Sequence, residues 1–81
     1  MRRTDLAMRK RTVEELKRLA DTPTEIAKVI GHGCSDSLVR YWLNEEGVPS
    51  HFYLNCMHEV GCDILYIITG VHRFGNQNEI Q

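Results

Sequence analysis

The stretch IGHGCSDSLVRYWL, residues 30–43, decides how this chain is read. It holds two glycines two positions apart, Gly31 and Gly33, and then an amphipathic run carrying the only tryptophan, Trp42. Leu38, Val39, Trp42 and Leu43 recur at the three- and four-residue steps that line one face of a helix. Asp36, Ser37, Arg40, Tyr41 and Asn44 fall on the other side. Ser35 is a natural N-cap and Asp36 suits the positive end of the helix. The spacing predicts a helix over residues 35–47, closed by Gly47.

Working outward, TPTEIAKVIG (residues 22–31) is a strong helix start. Thr22 and Glu25 form a capping-box pair, with Pro23 at the first helical position. Ile26, Ala27 and Ile30 face inward, and Gly31 stops the helix. TVEELKRLA (residues 12–20) puts Val13, Leu16, Leu19 and Ala20 on one face. Thr12 can cap it, with Glu14 and Glu15 in the first turn and Lys17 and Arg18 near the end; whether this helix reaches back through Leu6 and Met8 is open. A fourth helix is expected over residues 49–61, begun by Pro49 or Ser50 and closed by Gly61. In it Phe52, Cys56 and Val60 align at steps of four, with Tyr53 and Met57 beside them. DILYIITG (residues 63–70) reads equally as a buried strand or a short helix, but Asp63 as N-cap and Gly70 as stop favour the helix. The expected fold is therefore all-α, five short helices with brief connections.

A helix-turn-helix crosses two helices around a short turn. It wants a small residue on the first helix and a glycine four later, then an aliphatic residue six after the glycine and a bulky anchor three further on. Ala27 and Gly31 satisfy the first half. Counted from Gly33, Val39 and Trp42 satisfy the second. Both halves match, with two extra residues between them, so GHGCS reads as a lengthened turn that Gly31 enters and Gly33 leaves.

Residues 47–70, GVPSHFYLNCMHEVGCDILYIITG, carry a second pattern: a Pro-led helix, a glycine, then a D-x-L-Y-x-x-T-G close. Together with the preceding segment, this resembles temperate-phage repressors of the CI and Cro type and related XRE-like small transcriptional regulators, over about residues 12–72. The resemblance implies a five-helix, lambda-repressor-like DNA-binding domain that occupies a two-fold operator on double-stranded DNA as a homodimer. It also implies a cytoplasmic, nucleoid-associated setting in a bacterial host. Longer relatives add a C-terminal oligomerisation or cleavage domain. This chain is accordingly expected to be a Cro-like protein or a separated DNA-binding domain.

Composition bounds these readings. Eighty-one residues make one domain with a small core. Net charge is −1, but residues 1–20 carry seven cations against three acids and residues 21–81 three against eight. That asymmetry predicts a basic arm over residues 1–11 on a nearly neutral body, with a polar tail over residues 73–81. Three cysteines in no framework spacing, no apolar leader and a longest apolar run of ILYII point to a cytosolic chain with reduced thiols.

If the third helix reads bases, Arg40 is its best reader, since guanidinium pairs bidentately with guanine. Asn44 suits adenine or phosphate; Ser35, Ser37 and Tyr41 suit bases or backbone; Asp36 suits cytosine but repels phosphate. Thr22, Thr24 and Lys28 are expected on the phosphate backbone, where helix N-termini also offer free N–H groups. Arg2 and Arg3 belong to the arm, and His32 is a further candidate for phosphate. Tyr66, Ile67 and Ile68 are more apolar than one short element can bury, which predicts a dimer surface. No metal or cofactor is expected: Cys56 and His58 lie about 200° apart around a helix, and no paired metal spacing occurs. No catalytic constellation is present. The alternative reading is an antirepressor-like protein-interaction module that keeps the fold and binds a protein partner.

Overall fold

The computed structural model describes residues 3–72, with side chains from Leu6 onward. It contains five helices and no strand among the described residues: α1 (Arg3–Leu19), α2 (Pro23–Ile30), α3 (Asp36–Leu43), α4 (His51–Glu59) and α5 (Ile64–Thr69). None is long and apolar enough to cross a membrane. The core is built from Leu16 of α1, Ile26, Ala27 and Ile30 of α2, Val39 and Trp42 of α3, Cys56 and Met57 of α4, Cys62, and Ile67 of α5. The Trp42 ring meets Tyr53 edge-on, centroids 5.5 Å apart. α1 packs against α2, α3 and α5, while α4 is held by α2 and α5.

α1 differs from the expected helix in two ways. It begins at Arg3, so the boundary expected between residues 11 and 12 falls inside one continuous helix. Thr12 is then no N-cap. It lies in mid-helix, fully buried, and its hydroxyl donates to the Met8 carbonyl at 2.7 Å. This back-bond to the preceding turn satisfies a hydroxyl that has no water to reach. The inward face follows Met8, Thr12, Glu15, Leu16 and Leu19, while Val13 is only half-buried. Apolarity alone misjudged this face because two of its members are polar.

Glu15 is the more consequential of the two. It is 1% exposed. One carboxylate oxygen, Oε1, accepts from Arg18 Nη1 at 2.6 Å and from the backbone N–H of Asp63 at 2.8 Å. A buried carboxylate requires such partners, and here they join α1 to the start of α5.

The chain closes its other helices with local chemistry. Thr22, Ser35, Ser50 and Asp63 each cap a helix by accepting the N–H three residues on. α3 ends four residues before Gly47. The left-handed stop position is taken by Glu45, at φ 61°. Glu45 N–H bonds to Trp42 O at 3.0 Å and Glu46 N–H to Tyr41 O at 3.1 Å, a Schellman closure with a non-glycine residue in the glycine position. On α4, Phe52 is exposed and Val60 half-buried, so only Cys56 of the expected line is fully inside. The ambiguous segment 63–70 is a helix, with Gly70 left-handed at φ 83°.

Replacing Glu15 by leucine leaves the Asp63 N–H without its acceptor, while the largely exposed Arg18 guanidinium returns to water. We expect Glu15→Leu to lower unfolding free energy by about 1–3 kcal/mol in urea titration, and Glu14→Leu, at an exposed position, by less. Cys62 is buried on the same side, its Sγ–H donating to the backbone carbonyl of Glu15 at 3.9 Å. Burial, then the Glu15 charge, push its thiol up to about 12, against a smaller opposing effect of Arg18. The folded value lies above the unfolded one of about 8.5, so this contribution is complete below pH ~8.5 and is lost as pH climbs toward about 12. Urea midpoints should fall above pH ~8.5 in the wild type, and Cys62→Ala should flatten that decline.

Candidate nucleic-acid interface

α2 and α3 share the most extensive packing of any helix pair among the described residues. α2 turns Ile26, Ala27 and Ile30 inward and leaves Thr24, Glu25, Lys28 and Val29 outside. α3 buries Val39 and Trp42 and leaves Ser37, Arg40, Tyr41 and the C-cap Asn44 exposed. These four recur at three- and four-residue steps, so they form one outward stripe. Asp36 is half-buried at the N-terminal end, 3.6 Å from Arg40 Nη2 in an exposed pairing that water and salt can readily open.

The connection between the helices has positive φ over three successive residues: Gly31 at φ 69°, His32 at φ 55° and Gly33 at φ 78°. Gly31 N–H closes α2 onto Ala27 O at 2.9 Å, and Cys34 N–H bonds back to Gly31 O at 3.0 Å. His32 is non-glycine in a conformation that disfavours a side chain. Its ring stands edge-on to Phe52 at 6.0 Å, and its Nε2 lies 3.7 Å from Glu59 Oε1. The lengthened turn is thus tied to α4, and the histidine considered for phosphate already faces a carboxylate. Cys34 is half-buried against the core; burial, then the neighbouring Cys56, raise its thiol above the ordinary range.

Both hydroxyl caps remain useful at a surface. Thr22 Oγ1 accepts from Glu25 N–H at 3.2 Å, and Ser35 Oγ accepts from Leu38 N–H at 3.1 Å. Each exposed O–H is still a donor, and each helix start still presents N–H groups to an anion.

Of the cations in the basic arm expected over residues 1–11, Arg9, Lys10 and Arg11 have described side chains. Arg2 and the Arg3 side chain lie outside the described residues, as does the tail over residues 73–81. The rest of the basic run works inside the protein. Arg9 Nη1 donates to Glu45 O at 3.1 Å, and Lys10 Nζ lies 3.4 Å from Glu45 Oε1. Arg11 donates to Ile67 O at 3.0 Å and to Ile68 O at 3.3 Å, with its guanidinium 5.9 Å from the Tyr66 ring centroid. These cations sit at the C-terminal ends of α3 and α5, where unpaired carbonyls and the helix dipole favour them. Composition showed the charge but not its partners, which are backbone groups dozens of residues away. Among the described residues, Lys17 and Lys28 are the cations engaged in neither an ion pair nor a side-chain hydrogen bond.

The expected dimer residues separate. Ile67 is fully buried in the core and cannot line a surface. Tyr66 is half-buried: its hydroxyl donates to Glu14 Oε1 at 2.6 Å, and its ring stacks on His72 at 3.8 Å. The Glu14 hydrogen bond, which needs the neutral phenol, raises the tyrosine above its ordinary range. Ile68 is exposed, as are Leu65 and Val71. Beside them, His51, Leu54, Asn55, His58, Ile64 and Ile68 line a shallow groove between α4 and α5. In a helix of six residues, turning Ile67 inward leaves its neighbours about 100° away in sequence order, outside the core.

Gly47 matters to this face. A Cβ there would lie 2.5 Å from the Tyr41 hydroxyl oxygen. Because the Tyr41 ring is exposed, Gly47→Ala should push it aside at a loss of under ~1 kcal/mol while changing its environment, to be read from tyrosine ring shifts by NMR. Comparison with family models, curated protein sequences and solved structures returns no match to this chain.

Proposed function

We propose that this chain is a sequence-specific DNA-binding transcriptional regulator of the phage-repressor kind, using α2, the turn and α3 as a helix-turn-helix. The observation that carries the reading is the division of α3, with Val39 and Trp42 buried and Ser37, Arg40, Tyr41 and Asn44 exposed as one stripe. In this reading α3 lies in the major groove. Arg40 leaves its loose pairing with Asp36 to take a guanine edge, and Asn44, Ser37 and Tyr41 contact neighbouring bases or phosphates. Thr22, Thr24 and Lys28 sit on the backbone with the N-terminus of α2. A second copy packs on the exposed Leu65 and Ile68 beside the α4–α5 groove, and the pair represses by covering promoter DNA as a two-fold unit.

A second reading is favoured by one specific observation. Free cations on the α2–α3 side are few, and Asp21, Glu25, Asp36, Glu45 and Glu46 are close in sequence to them. That balance also suits a protein-interaction module binding a basic partner.

Salt dependence separates the two. With Lys28 as the phosphate-side cation of each copy and Arg40 on a base edge, a dimer should show a slope of log affinity against log salt of about −2. Arg40→Ala should weaken a selected operator by about 10- to 100-fold and relax preference at one position. Lys28→Ala should weaken all sequences alike and flatten the slope by about 0.9 per copy. Selection from random DNA followed by fluorescence anisotropy measures all three. A wild-type chain that selects no sequence would sink the regulator reading and leave the protein-partner one.

A further inference from the structure

We infer that Arg9 is a positioning residue for α3, holding the strained turn that ends the helix and thereby the pose of its outward stripe. This rests on the DNA-binding reading above. Glu45 occupies a left-handed position at φ 61°, where helices normally place glycine. The Glu45 and Glu46 N–H groups close the turn locally, but glutamate has no intrinsic preference for this conformation. The Glu45 carbonyl accepts from Arg9 Nη1 at 3.1 Å, and its carboxylate lies 3.4 Å from Lys10 Nζ, so two neighbouring residues of α1 grip both ends of the strained residue. The Lys10 pair is largely exposed and adds little. The Arg9 contact is the directional one, a charge-assisted bond to a carbonyl at the negative end of α3.

The grip reaches the outer face through two links. Glu46 N–H closes the turn onto the carbonyl of Tyr41, itself a member of the exposed stripe. The Tyr41 ring then covers Gly47, where no side chain would fit without moving it. Freeing residue 45 therefore loosens the last turn of α3 and the ring beside Arg40. Strain retained at a helix end and held from another element is a sign of positioning rather than of local stability.

Three variants test this on full-length protein: Arg9→Met, Glu45→Gly, and the two combined. For Arg9→Met we expect an affinity loss of about tenfold on the selected operator with the salt slope unchanged, because Arg9 does not touch phosphate. Amide exchange at residues 45 and 46 should accelerate in the same variant. Adding Glu45→Gly should return affinity to within about threefold of wild type, since glycine takes the left-handed conformation without a grip. If Arg9→Met alone fails to fold, folding of the combined variant supports the same conclusion. A slope that falls by about 0.9 per copy in Arg9→Met would place Arg9 on DNA and overturn the inference. Unchanged affinity, or unchanged exchange at residues 45 and 46, would overturn it as well. A wild-type chain that selects no DNA removes the DNA reading, and exchange at residues 45 and 46 then decides the grip by itself.

Discussion

The buried Glu15 carboxylate is the constraint around which the rest of the molecule is arranged. A carboxylate removed from water must be matched by donors, and a single oxygen here takes two, the Arg18 guanidinium and the Asp63 N–H. Asp63 in turn caps α5 by accepting Tyr66 N–H at 3.0 Å. The start of α5 is therefore set by a residue on α1, and Ile67 is delivered into the core at a defined rotation. With ten buried apolar side chains among the described residues, the fold depends on polar bonds between elements more than one with a larger core would.

The same principle governs the basic run. Arg9 and Arg11 stand two residues apart on α1 and reach the C-terminal ends of two different helices, α3 and α5. Helix ends leave carbonyls without partners, and guanidinium is a good match for them. α1 thus acts as a strut whose charged side chains close the elements packed around it. The consequence for function is direct. Among the described residues, Arg9, Lys10 and Arg11, which composition offered to a nucleic acid, are already engaged within the fold, and Lys17 and Lys28 remain.

Much of the fold was legible. The caps Thr22, Ser35, Ser50 and Asp63, and the glycines at 31, 61 and 70, act over three or four residues and announce the helices they bound. The outward and inward sides of α2 and α3 followed from periodicity for the same reason. What was not legible depends on distant neighbours. Thr12 looked like a cap because nothing local revealed that a helix already ran through it. Gly47 looked like a helix stop, whereas the stop lies at Glu45, a residue with no intrinsic preference for that conformation, and Gly47 is kept for the Tyr41 ring. Ile67 and Ile68 are alike as residues, and only the rotation of α5 separates core from surface.

The sequence by itself determined the five helices of the described residues, where most of them begin, and that Trp42 faces inward behind a polar stripe. Those outcomes rest on caps and periodicity, which operate within one or two turns. Tertiary structure alone decided which charges are free, which apolar residues remain outside, and that the lengthened turn at residues 31–34 is tied to α4 through His32. Those outcomes depend on hydrogen bonds and ring contacts between residues tens of positions apart, whose geometry exists only once the helices are packed.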